Sequence, residues 1–104
     1  MLSDKVKRVT IYVNEADEWH GRSVYLEIVR FLQHEGCAGG TVLRGVAGFT
    51  KAGVVTTSLV DAGGKLPLVI EYIDLPETVA RVLPHLREIA GNRLIVLEDL
   101  ELYP

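Results

Sequence analysis

Two hydrophobic periods alternate along this chain, and their order leaves few folds open. Val9, Ile11 and Val13 alternate with Thr10 and Tyr12, which is the two-residue repeat of a strand and predicts strand one over Val6 to Asn14. Asn14 to Gly21 is polar and turn-like. Val24, Tyr25, Ile28, Val29 and Leu32 then recur at helical spacing, with Glu27, Arg30 and Gln33 on the opposite face. Ser23 is expected to cap this helix and Gly36 to end it. A Gly39-Gly40 turn leads to strand two, Thr41 through Phe49. Residues 50–65 hold Gly53, Gly63 and Gly64 and read as a long excursion between strands, with extended arms within Val54 to Val60. Excursions of that length in compact domains are usually functional or mobile. Leu66 to Ile73 is strand three, with Pro67 near its start, where a missing ladder donor is tolerated. Asp74 and Glu77 bracket Leu75-Pro76 and predict a capping box with proline in the first turn. Val79, Val82, Leu83, Leu86, Ile89 and Ala90 form the stripe of helix two, kinked or loosened at Pro84 and ended by Gly91-Asn92. Leu94 to Tyr103 is the last strand.

The order β-α-β-β-α-β is the ferredoxin-like split arrangement. The chain is therefore expected to be one α+β domain over residues 1–104, a four-stranded antiparallel sheet with two helices on one face. The other face of such a sheet is normally polar where it meets water. Here Leu68, Ile70 and Tyr72 alternate with Val69 and Ile73, and Leu94, Val96, Leu100 and Leu102 with Ile95 and Leu97. Both faces are partly apolar, which points to assembly through the uncovered one.

A net charge of -3 over 104 residues gives no nucleic-acid footprint. The single cysteine, Cys37, excludes an intramolecular disulfide and fits a reducing cytoplasm. Lys5, Lys7 and Arg8 precede no long apolar run, so no secretory signal and no membrane insertion are expected.

Several stretches together resemble a known family. They are Tyr25-Leu26-Glu27 at the opening of helix one, the run Glu35-Gly36-Cys37-Ala38-Gly39-Gly40-Thr41-Val42-Leu43-Arg44-Gly45-Val46-Ala47-Gly48-Phe49, and Leu66-Pro67-Leu68-Val69-Ile70-Glu71 with Asp74. The layout resembles PII-like proteins, specifically the uncharacterised domain-of-unknown-function family DUF190, over nearly the whole chain. That resemblance implies a ferredoxin-like homotrimer with inward-facing sheets and a role in signalling. It implies a mobile loop between strands two and three that contacts a target protein, such as a membrane transporter or an enzyme. It also implies an adenine nucleotide effector in clefts between subunits, with no required cofactor. PII proteins proper carry a loop tyrosine for nucleotidylation; residues 50–65 contain none, so that modification is not expected. Relatives often have an acidic stretch before the Leu-Pro pair, where Asp61-Ala62-Gly63-Gly64-Lys65 stands here.

The residues themselves allow two accounts of Arg44 to Phe49. Glycines let a backbone approach a phosphate and an arginine forks onto its oxygens. Gly40, Arg44, Gly45, Gly48 and Phe49, with Lys51 and Lys65 flanking the loop, are thus the candidate ligand-binding residues. Equally, the glycines relieve crowding in a bulged strand and Arg44 makes an ordinary ion pair. The run lacks the Gly-Lys-Ser/Thr ending of a P-loop. Gly39 and Gly40 favour a turn over an anion nest.

His20, His34 and His85 have no metal-ligand spacing, so no metal site is expected. Cys37 lacks an oriented base and reads as a small buried hydrophobe, so no catalytic residue is assigned. Glu15, Asp17 and Glu18 read as a solvated acidic loop, and Trp19 beside them as an interface residue. Two alternatives share the fold. A CutA-like metal-tolerance trimer needs His, Cys or Met ligands converging across subunits, and Met1 is the only methionine. An acylphosphatase needs a phosphate-cradling arginine after strand one, which Asn14 to Gly21 lacks, with Arg22 a weak candidate just beyond.

Overall fold

The structure, a computed structural model, describes residues 5–50, 53–56 and 65–104. Along the chain run β1 (Lys5–Asn14), β2 (Glu18–Trp19), β3 (Arg22–Ser23), α1 (Val24–His34), β4 (Thr41–Arg44), β5 (Ala47–Thr50), β6 (Gly53–Thr56), β7 (Pro67–Asp74), α2 (Pro76–Ala90) and β8 (Ile95–Glu101). The main sheet has the order β4-β7-β1-β8 and is antiparallel throughout. This is the predicted α+β architecture, with both helices on one face.

Strand register sets the core. Val9 lies opposite Tyr72, Ile11 opposite Ile70 and Ile95, and Val13 opposite Leu68. Directly opposed residues share a face, so these side chains point together. They meet Val24, Ile28 and Leu32 of α1 and Val79, Val82, Leu86 and Ile89 of α2 in one buried cluster. Each such side chain contributes roughly 1.5–3 kcal/mol of burial, so this cluster rather than any surface ion pair holds the helices down. The opposite face carries Tyr12, Leu43 and Ile73, which are 45%, 52% and 43% exposed. A large apolar fraction of the uncovered face is therefore open, as the alternation in the sequence predicts.

Five local expectations change. Thr41 to Phe49 is not one strand. Gly45 donates its N–H to the Pro67 carbonyl at 2.8 Å, but Pro67 has no N–H to return. The ladder stops there, the chain turns out of the sheet, and β5 pairs with β6 instead. β6 falls in the expected extended arm; the rest of Val54 to Val60 lies outside the described residues.

Asn14 to Gly21 is not only a turn, because β2 and β3 form a small hairpin across His20-Gly21. Both turn residues have positive φ, +52° and +78°, the geometry a two-residue hairpin loop demands.

Ser23 stands at the N-cap of α1 without a side-chain capping bond. The Asp17 carbonyl accepts the Val24 N–H instead, at 2.9 Å.

Asp74 does not cap α2; Leu75 occupies the N-cap position, without a side-chain capping bond, and Pro76 is first in the helix. The Asp74 carboxylate is engaged elsewhere, accepting from the Ala38 N–H at 3.0 Å and the Leu75 N–H at 2.8 Å. The last strand is shorter than predicted, ending at Glu101. Gly36 does end α1. At φ +81° it lets its own N–H reach the Gln33 carbonyl and the Cys37 N–H reach that of Leu32, which completes a Schellman motif.

Candidate functional site

The core-facing rows of β1 and β4 run past the cover of the helices, and each ends in a charge. In β1 the row Val9, Ile11, Val13 continues to Glu15; in β4 the row Val42 continues to Arg44. Leu68 lies between them, opposite both Val13 and Arg44. Arg44 Nη2 reaches Glu15 Oε2 at 3.0 Å, with the Glu15 side chain 10% and the Arg44 side chain 65% exposed. The other carboxylate oxygen, Glu15 Oε1, accepts the Leu66 N–H at 3.0 Å. The Glu15 N–H in turn donates to the Leu66 carbonyl at 3.0 Å. One carboxylate thus joins the last residue before the excursion's departure from the sheet to the first residue of its return.

Four other singled-out residues gather at this corner. Gly45 and Gly48 close on the Pro67 ring, and a Cβ on either would stand 2.9 Å from Pro67 Cγ. The glycines therefore have a packing reason of their own, close approach, with no positive φ involved. Phe49 on β5 is 83% exposed. Lys65 is exposed, and its carbonyl accepts from Asn14 Nδ2. Lys51 lies outside the described residues.

Gly40 belongs to the opposite end of β4, about 13 Å away at the usual strand rise. There it lines a shallow cleft of about 330 Å³ with Thr41, Glu71 and Ile73. Its Cβ position lies 3.4 Å from the Glu71 carbonyl oxygen. The candidate residues thus fall at two places.

Glu15 is the residue of this corner that reading the acidic loop as solvated misses. The available clue is parity, since Glu15 is a charge one residue past β1, in phase with its core-facing row.

The remaining candidates have local partners. His20 packs edge-on against Trp19 with centroids 4.4 Å apart, and His85 lies on Phe31 at 4.5 Å. Trp19 is half-buried against the core cluster. Cys37 is half-buried, and burial, reinforced by Asp74, pushes its thiol up. Burial also pushes the Tyr72 phenol up, and its hydroxyl has no hydrogen-bond partner among the described residues. Among the described residues no group of three or more His, Cys, Asp or Glu is placed to hold a metal ion, and no helix is long and apolar enough to cross a membrane.

Comparison with known proteins places this chain in a family. The sequence profile of the family DUF190, described as "Uncharacterized ACR", matches residues 6–102. A UPF0166 protein of Methanocaldococcus jannaschii is 37% identical over 95% of this chain and 93% of its own length. A UPF0166 protein of Aquifex aeolicus is 34% identical over 93% and 92%. Among solved structures, CPII of Thiomonas intermedia, a nitrogen regulatory PII-like protein bound to ADP, AMP and bicarbonate, superposes with a TM-score of 0.71. It is 16% identical, over 94% of this chain and 88% of its own. A putative PII-like signalling protein of Thermus thermophilus superposes with a TM-score of 0.64 at 19% identity, over 96% and 89%. At these identities the two structures are similar in fold.

Proposed function

This chain belongs to the DUF190 family and has the fold of PII-like proteins, and on that premise we propose that it is a nucleotide-binding regulator without catalytic activity. Its effector is an adenine nucleotide, held where Arg44 to Phe49 leave the sheet. The observation that carries this reading is the exposure of the Arg44 guanidinium at the point where the chain turns out of the sheet. An arginine there offers donors matched to phosphate oxygens. The ADP and AMP named with CPII support the choice of nucleotide.

The cleft is completed by a second copy in a homotrimer that covers the apolar outer face carrying Tyr12, Leu43 and Ile73. Effector binding favours one state of the excursion 50–65, and a target protein reads that state. Such coupling requires the effector to bind the two states with different affinity.

Calorimetry against AMP, ADP and ATP, with and without magnesium, tests the reading. Binding that Arg44→Ala weakens tenfold or more supports it. No heat with any of the three, from a folded protein, overturns it.

A further inference from the structure

We propose that Glu15 is a built-in rival of the effector's phosphate for Arg44, so that the closed corner and the phosphate-bound site exclude one another. The inference rests on the nucleotide reading above and adds a means of regulation to it.

Three bonds define the closed corner: Arg44 Nη2 to Glu15 Oε2, the Leu66 N–H to Glu15 Oε1, and the Glu15 N–H to the Leu66 carbonyl. Arg44 at the end of β4 and Leu66 just before β7 therefore both hang on one carboxylate. That carboxylate is mostly buried while the guanidinium faces solvent. An incoming phosphate meets the arginine first and finds its charge already balanced.

A phosphate on Arg44 would set two anions on one cation, within hydrogen-bond reach of the same group. Like charges so placed disfavour each other. Among the described residues Arg44 is the cation paired with Glu15. Giving Arg44 to a phosphate would leave Glu15 largely buried with the Leu66 amide as its one remaining partner among the described residues, an arrangement that burial penalises. Whatever draws Arg44 outward therefore loosens the tie between the start and the return of the excursion. By linkage, whatever tightens that tie weakens phosphate binding equally.

The test is ADP binding by calorimetry to the unaltered chain and to Glu15→Gln, with adenosine as an uncharged probe. The amide keeps an oxygen for the Leu66 N–H, so the variant is expected to fold, and thermal unfolding verifies this. The expected result is about tenfold tighter ADP binding by Glu15→Gln, with adenosine binding unchanged and the gain abolished by adding Arg44→Ala. ADP binding that is unchanged or weaker in Glu15→Gln, with the unaltered chain still binding ADP, overturns the rivalry and leaves the nucleotide reading standing. ADP binding by neither chain overturns both. A second measurement needs no variant. Titrating ADP into the unaltered chain should shift the Arg44 guanidinium nitrogen and Glu15 carboxylate carbon NMR signals together. A shift of Arg44 with Glu15 unmoved overturns the proposal.

Discussion

Pro67 Cγ occupies the space a side chain on Gly48 would need, 2.9 Å from where its Cβ would stand. The obstacle is a ring held in β7, so it cannot rotate away as a flexible chain end would. Gly48→Ala is expected to cost about 1–3 kcal/mol, the usual range for overpacking. Pro67→Ala removes the obstructing atom. The double variant should recover at least about 0.5 kcal/mol relative to additivity. Urea unfolding of the four chains checks this, and additive costs would show that the contact does not matter.

The end of α1 depends on Gly36. Its φ of +81° is a conformation that disfavours any Cβ. Gly36→Ala is expected to cost about 1–2 kcal/mol, although nothing lies within 4 Å of the new Cβ. Denaturant unfolding would register the loss. An unchanged midpoint would mean that backbone strain is not what selects glycine here.

Pro84 lies inside α2 on an exposed turn. It has no N–H for the Ala80 carbonyl four residues back. A proline in a helix interior costs about 3 kcal/mol relative to alanine, so Pro84→Ala should raise stability by about 1–3 kcal/mol. A fall in melting temperature would show that the proline ring is needed for packing or assembly.

Two ion pairs on the main sheet are expected to give the protein a modest acid limb. Arg8 hydrogen-bonds Glu98 through two contacts of 3.0 and 3.1 Å, and Lys7 reaches Asp99 at 2.6 Å. Both carboxyls are held below their ordinary values, first by these side-chain hydrogen bonds and then by the charges. A carboxyl depressed in the folded state contributes stability above its unfolded value, about pH 4. That contribution is lost as pH falls through the lower folded value. Melting temperature should therefore drop below about pH 4, and Glu98→Gln with Asp99→Asn should flatten that limb. An unaltered acid limb in the double variant would sink this account.

Ile73 on the outer face is the place to test assembly, since it is 43% exposed and remote from the core row. Ile73→Glu puts a charge where the proposed trimer buries apolar surface. Light scattering should report a trimer for the unaltered chain and a monomer for the variant. A monomer in both at micromolar concentration would remove the trimer from the proposed function.

The elements of the fold are legible in the sequence because each depends on local periodicity. Val9, Ile11 and Val13 need only their two-residue spacing to face one way, and Ile28 and Leu32 only their helical spacing. Gly36 is readable for the same reason, as its conformation is a property of one residue.

What the spacing could not reveal depends on pairing. Thr41 to Phe49 is apolar enough to be one strand, yet it breaks at Gly45 because its partner across the ladder is Pro67, distant in sequence and without an N–H. Asp74 has the residue type and spacing of a cap, but the Ala38 amide comes to it from another element and the helix starts one residue later. At the candidate site the sequence singles out Arg44, Gly45 and Gly48 by residue type alone. That Glu15 leaves its acidic loop to hold Arg44 and Leu66 follows only once β1, β7 and β4 lie side by side. The tertiary structure decided it, because an ion pair forms where register places two charges on adjoining rows and the helices leave their end uncovered.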